Sequence, residues 1–168
     1  MKKIIFVASI LFTVNINAQV NRPTTTTSTE TQQWSHDDQQ FLEKATQGAL
    51  LEINNARMAL NQTKDESIHK FANQMITDHR NALDQLAKSV NKETFDKASQ
   101  IPQVSNVLAQ QRDEAFNNMY KQQAIKSHKE TITLYENYIR TSNNPQLKAW
   151  AEKNLPVVRM HLDHAEKL

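Results

Sequence analysis

The chain has 168 residues, 38% of them apolar and 23% charged, enough for one ordinary domain and too few for two large ones. It contains no cysteine, which excludes disulfides, thiolate metal sites, iron–sulfur clusters, c-type haem attachment, a cysteine nucleophile and a lipidated N-terminal cysteine. Its single glycine, Gly48, excludes phosphate-cradling and dinucleotide-binding loops, the nucleophile elbow of a hydrolase and a β fold of tight hairpins. Any metal is expected to use His, Asp or Glu, and long helices are the architecture left.

Lys2 and Lys3 precede an apolar run from Ile4 to Val14 and a small residue at Ala18, the pattern of a secretory signal peptide cut after residue 18. The run is shorter than the ~20 residues a bilayer span needs, so the expected mature form is exported, periplasmic or outer-membrane-associated, and has no transmembrane helix. Taking off the two lysines leaves 18 basic against 18 acidic residues, and net charge then gives no reason to expect nucleic acid as a partner. Residues 19–34, with Pro23 and the polar run from Thr24 to Thr29, have almost nothing to bury and are expected to form a flexible linker.

From residue 35 to 168 the pattern is helical. A first helix over 36–60 aligns Phe41, Ala45, Gly48, Ala49, Glu52, Ala56 and Ala59. A second is expected to start at Thr63, whose hydroxyl and Glu66 have capping-box spacing, and to turn Ile68, Phe71, Ala72, Met75, Ile76, His79, Leu83, Leu86 and Val90 inward. Residues 91–112, interrupted by Pro102, read as a connection with one or two helical turns. A third helix, 113–141, aligns Phe116, Tyr120, Ala124, Ile125, His128, Ile132, Tyr135 and Ile139. Asn143, Asn144 and Pro145 stop the chain and restart it, because Pro suits a helix's first turn. The last helix puts Leu147, Trp150, Ala151, Val157, Val158, His161, Ala165 and Leu168 inward, with a bend expected at Pro156. Four such helices, about 38 Å each at 1.5 Å per residue, pack as an all-α four-helix bundle: two antiparallel pairs joined by a long crossover connection of the ferritin-like kind.

The anomaly is polar. His79, His128 and His161 each interrupt the apolar stripe of a different helix, and Glu52 interrupts that of the fourth. One buried His is explained by a bond to a nearby carbonyl or hydroxyl. Four such groups in one core need a shared compensation, either a metal or a closed His/Glu network. Counting from the short turns puts Glu52 level with His161 and His79 level with His128, in two adjacent layers. Asp78, Glu136 and His164 flank the inward faces as further ligands, and His164 stands three residues after His161 on the same side of its helix. His36 and His69 read as solvated, and the methionines as packing or surface residues with no thioether cluster.

The run Asp38, Phe41-Leu42, Gln47-Gly48, Glu52, Phe71-Ala72, Met75-Ile76-Thr77-Asp78-His79, Phe116, Tyr120, His128 and Leu155-Pro156 with His161 resembles the exported bacterial domain of unknown function 4142 family, proteins similar to ferritin-like bundles and often labelled predicted outer membrane proteins. The resemblance covers about 36–168. It departs at Asn117, where the family usually has Asp. It implies the bundle and no reaction. A di-iron enzyme is not implied, since the residues three before His79 and His161 are Ile76 and Val158 and not Glu. Three imidazoles with few carboxylates suit zinc, copper or nickel better than a bridged iron pair. The sequence leaves two functions open: a bundle whose Glu52, Asp78, His79, His128, His161 and His164 bind a transition metal (zinc, copper, nickel or iron) for storage, buffering or stress protection, or a metal-free structural module whose outer faces meet another cell-envelope protein or a second copy.

Overall fold

The computed structural model describes residues 34–100 and 107–168. The expected signal peptide, and the expected linker up to residue 33, lie outside the described residues. Trp34, the last residue of that linker, belongs instead to the domain. It is buried with Phe41, Tyr138 and Trp150, and its carbonyl accepts from the Gln39 side chain.

Five helices carry the described chain: α1 (His36–Gln62), α2 (Glu66–Ser89), the short α3 (Lys92–Ala98), α4 (Asp113–Thr141) and α5 (Pro145–Glu166), with a 3-10 turn at Val107–Gln110. Their starts are written in the sequence. Ser35 and Asp38 form a reciprocal capping box on α1, and Asn144 accepts from the amides of Gln146 and Leu147 while Pro145 occupies the first turn of α5. The start of α2 differs from expectation. Asp65, not Thr63, is the cap, because its carboxylate reaches the amides of both Ser67 and Ile68, whereas Thr63 is buried in the turn and accepts from the Asp65 amide. His69 is likewise engaged with the Thr63 carbonyl at 2.8 Å and helps to close this turn. Helix α5 runs through Pro156 without a break.

Contacts order the long helices around the bundle as α1, α2, α5, α4. Side-chain ties fix their directions. Glu52 meets Ser127 and Asp38 meets Tyr138, so α1 and α4 are antiparallel; Asp78 meets His161 and Trp150 donates to the Ala82 carbonyl, so α2 and α5 are antiparallel. Since the short turn also makes α1 and α2 antiparallel, α2 and α4 run parallel, and α4 starts at the end of the bundle where α2 starts. The crossover expected between two antiparallel pairs is what these contacts describe. Its α3 packs on α1, and Leu108 of the 3-10 turn is fully buried at the far end.

Two large apolar clusters fill the ends of the interior, and a small third one, Ala49, Ile53 and Leu83, lies between them. One holds Phe41, Leu42, Leu86, Tyr135, Tyr138, Leu147 and Trp150, with Phe41 stacked on Tyr138 at 3.7 Å between ring centroids. The other holds Ala56, Phe71, Met75, Phe116, Tyr120 and Ala165. On α2, α4 and α5 the sequence passes from one large cluster to the other across a buried histidine, His79, His128 or His161, and on α1 the same level holds Glu52, with buried Thr46 and Asn55 to either side. A polar layer therefore separates two hydrophobic halves.

Candidate metal centre

Helical period builds this layer. One turn beyond inward-facing Met75 comes His79, one turn beyond Ala124 comes His128, and three residues beyond Val158 comes His161. The three imidazoles converge from α2, α4 and α5. Ring centroids are 5.3 Å apart for His79 and His161, 5.5 Å for His128 and His161, and 6.0 Å for His79 and His128. One ring nitrogen from each lies within 4.8 Å of the others, and all three side chains are buried.

Hydrogen bonding decides which nitrogens are left free. The Nδ1 of His128 is 2.6 Å from the Ala124 carbonyl, and the Nε2 of His161 is 2.9 Å from Asp78 Oδ2. Both partners only accept, so each ring carries its proton on that nitrogen and keeps a lone pair on the other. Seven buried side-chain polar atoms lack a hydrogen-bond partner among the described residues, and three of them are His79 Nε2, His128 Nε2 and His161 Nδ1. Leaving buried polar atoms unpaired costs about 1–3 kcal/mol each. A closed His/Glu network would have left none here.

Charge agrees with the geometry. Burial, with the neighbouring rings adding to it, holds His79 well below the ordinary imidazole value and lowers His128 to about 4. Burial also lowers His161, although the bond to Asp78 works the other way. At neutral pH the three rings are uncharged, and the contact between His161 and Asp78 is a hydrogen bond to a carboxylate and not an ion pair. Neutral imidazole is the form that ligates metal.

The other residues proposed from sequence divide. Glu52 is buried and lines a small cavity of about 10 Å³ with Gly48, Ala49, His79, His128, Thr131 and Tyr135. That is room for about one water or ion. Its carboxylate is not among the converging ligand atoms; it bonds the Ser127 hydroxyl. Burial pushes Glu52 up to about 7, with the Ser127 bond opposing. When Glu52 holds a proton, Ser127 can turn its own to the Ala124 carbonyl, 3.2 Å away, so both states are accommodated. The layer assignment from turn counting is corrected, because His161 joins His79 and His128 and does not pair with Glu52. The α2/α5 register is set by the ties from Asp78 to His161 and from Gln74 to His164, which turn counting does not contain. Asp78 stands behind His161 and outside the ring of nitrogens. His164 turns to Gln74 at 3.0 Å, and Glu136 pairs with Arg159 on the surface. Sequence reasoning missed Ser127 and Gln74. Ser127 precedes His128 on the side of α4 that meets α1, and only the helix order could have singled it out.

The residues present fit a metal ion. Three nitrogens bound at about 2.0–2.1 Å in one plane stand about 3.5 Å apart, about 1.3 Å closer than the 4.8 Å within which these atoms already lie. A second nitrogen held by a carbonyl or carboxylate is the usual support of a ligating imidazole, and two of the three rings have it.

A family model, DUF4142, a domain of unknown function, matches residues 23–168. Among solved structures, the chain is similar to CopM in its Cu(I)-bound form, with 18% identity over 80% of this chain and 95% of that one and a TM-score of 0.65. The Ag-bound form of CopM, obtained by soaking, matches over the same shares at 17% identity and a TM-score of 0.61. At such identities the likeness establishes the helical-bundle fold alone. No curated protein matches the sequence.

Proposed function

The chain belongs to the DUF4142 family, whose description assigns no activity, and from its site we propose that it binds one late transition-metal ion between His79, His128 and His161. The observation that carries this reading is the convergence of three buried imidazoles from three helices, each with an unpaired ring nitrogen. Neutral imidazoles suit copper, zinc and nickel. We put monovalent copper first. The converging donors are uncharged, Glu52 beside them is turned to Ser127 with its pKa raised, and a single positive charge costs less to bury than a double one. The Cu(I)- and Ag-bound CopM structures share this fold and support the choice.

The chain's own part is to hold and isolate. His128 and His161 are locked in one tautomer by Ala124 and Asp78, the two apolar clusters close off both sides of the layer, and Glu52 lines the cavity as a fourth group able to carry a proton. A bound ion would supply the positive charge that the three lone pairs lack. Such a centre sequesters an ion, and we read the role as storage or buffering of a transition metal in stress protection. Export to the periplasm or outer membrane belongs to the same proposal and rests on the pattern of residues 1–18. Among the described residues no helix is long and apolar enough to cross a membrane.

The test is elemental analysis of protein purified without an affinity tag, together with thermal unfolding in added Cu(I), Ag(I), Zn(II), Ni(II) and Fe(II). We expect about one equivalent of metal and a stabilisation near 2.7 kcal/mol at ligand about 100-fold above Kd, both lost in His128→Leu. No metal and no shift with any ion would leave the metal-free envelope module.

A further inference from the structure

A second pair of soft ligands stands outside the imidazole layer. Met160 on α5 is 37% exposed, and His164, one turn later, is half-buried. At a spacing of four residues the two stand on one face of α5. One residue of α2 touches both. The Gln74 amide nitrogen donates to Met160 Sδ at 3.8 Å, and His164 Nδ1 is 3.0 Å from Gln74 Oε1. A carbonyl oxygen only accepts, so His164 carries its proton on Nδ1 and keeps a lone pair on Nε2, the same device that prepares His128 and His161.

The two imidazoles of α5 are also neighbours in one ladder. Gln74 and Asp78, one turn apart on α2, hold His164 and His161, three residues apart on α5. The outer rung is partly exposed, and the inner rung is a member of the buried trio. Asp78, whose side chain is 28% exposed, stands between water and His161.

We propose that Met160 and His164 form an outer site for a soft monovalent ion, Cu(I) or Ag(I), from which ions pass along the α2/α5 seam to His161 and the buried centre. The proposal rests on the inner centre described above. A thioether selects Cu(I) or Ag(I) over Zn(II), and a thioether with one imidazole is enough for a d¹⁰ monovalent ion, which accepts two ligands. The ligand that Met160 gives up is only a long contact to an amide, so the site opens at little cost. No electron is transferred; the ion keeps its charge throughout.

The full chain with ¹³C-methyl methionine, titrated with Ag(I) and then with Zn(II), tests this by NMR, Met160→Leu assigning the signal. Ag(I) should shift the Met160 methyl and the His164 ring in the natural protein and in His128→Leu, and Zn(II) should leave the Met160 methyl unmoved. The double variant Met160→Leu/His164→Gln should still take up the inner equivalent, at a rate lower by about tenfold, the low end of what local concentration of an ion contributes to association. A Met160 methyl that does not move while the inner rings respond would overturn the outer site and leave the inner centre standing. Unchanged loading in the double variant would overturn the transfer route. Silence at inner and outer rings alike would overturn both readings.

Discussion

The imidazole of His161 donates through Nε2 to Asp78 Oδ2 at 2.9 Å, across the seam between α5 and α2, and its Nδ1 is left buried without a partner. The bond settles the tautomer, and the tautomer settles which nitrogen keeps a free lone pair. Asp78 is thus a positioning residue for a proposed ligand, partly exposed and acting through another side chain.

Asp78→Ala should weaken metal binding about 10- to 100-fold, the range typical of lost support behind a ligating imidazole, and should cost about 1–3 kcal/mol of metal-free stability because the Nε2 proton of buried His161 loses its acceptor. Asp78→Asn, whose carbonyl can still accept from Nε2, should keep more of the affinity. Competition titrations with a chelator of known affinity measure both. Equal affinities for the natural protein and Asp78→Ala would mean that His161 is not held this way when it binds.

His79→Leu should separate stability from function. The substitution removes an unpaired buried nitrogen and keeps an apolar side chain beside Met75 and Leu83, so metal-free protein should unfold at the same urea concentration or higher, by up to about 1–2 kcal/mol. Stabilisation by added metal should vanish. A large loss of stability in the metal-free form would show that His79 has a protein partner after all.

Protonation in the layer acts in two directions. Between about 4 and its ordinary value of 6.5, His128 binds more protons unfolded than folded, so its contribution to stability grows as pH rises through that window; His79 and His161 are shifted the same way. Glu52 is the reverse. Its folded value of about 7 lies above its ordinary 4.5, so the folded state binds more protons in between, and stability falls as pH rises from 4.5 to 7. In Glu52→Gln the amide oxygen can still accept from Ser127, and only the opposing titration is removed. Metal-free Glu52→Gln should match the natural protein near pH 4.5 and exceed it by about 1–3 kcal/mol at pH 8. Urea midpoints across that range check the sign, and a variant that loses ground at high pH would contradict it.

Far from the layer, the Tyr138 hydroxyl donates to buried Asp38, the residue that also completes the α1 capping box. Burial by itself would raise the Asp38 pKa, but the bonds from Tyr138, Ser35 and Asn144 together hold it lowered. Tyr138→Phe should keep the stacking on Phe41 and leave the carboxylate short of a donor, for a loss of about 1–3 kcal/mol by thermal or urea unfolding. Metal binding should be unaffected. If binding falls with stability, the two ends of the bundle are coupled more tightly than the two separate clusters imply.

Much of this arrangement was legible in the one-dimensional pattern, because period and punctuation are local properties. The bounds of α4 and the Asn144-Pro145 restart follow from residues adjacent in the chain, and so does the place of each His in its own stripe. The α2 cap was misread because Thr63 and Asp65 both have capping chemistry, and only the buried turn shows that Thr63 is used elsewhere. Tyr138 and Asn154 escaped the expected inward faces although both are buried, Tyr138 through its bond to Asp38 and Asn154 through one to the Trp150 carbonyl. The level of His161 was lost for a different reason. Axial register between helices is set by ties such as Gln74 to His164 and Trp150 to Ala82, contacts between residues more than sixty positions apart. Glu52 was correctly placed in the core, but its partner on α4 required knowing that α4 and not α5 lies beside α1.

The most direct measurement is an anomalous difference map from crystals of the full chain grown with Cu(I) or Ag(I). The account predicts one strong buried peak, for Cu(I) about 2.0–2.1 Å from His79 Nε2, His128 Nε2 and His161 Nδ1, with Asp78 still bonded to the far side of His161. A map with no peak among these three rings, at an ion concentration that fills sites elsewhere on the surface, would contradict it.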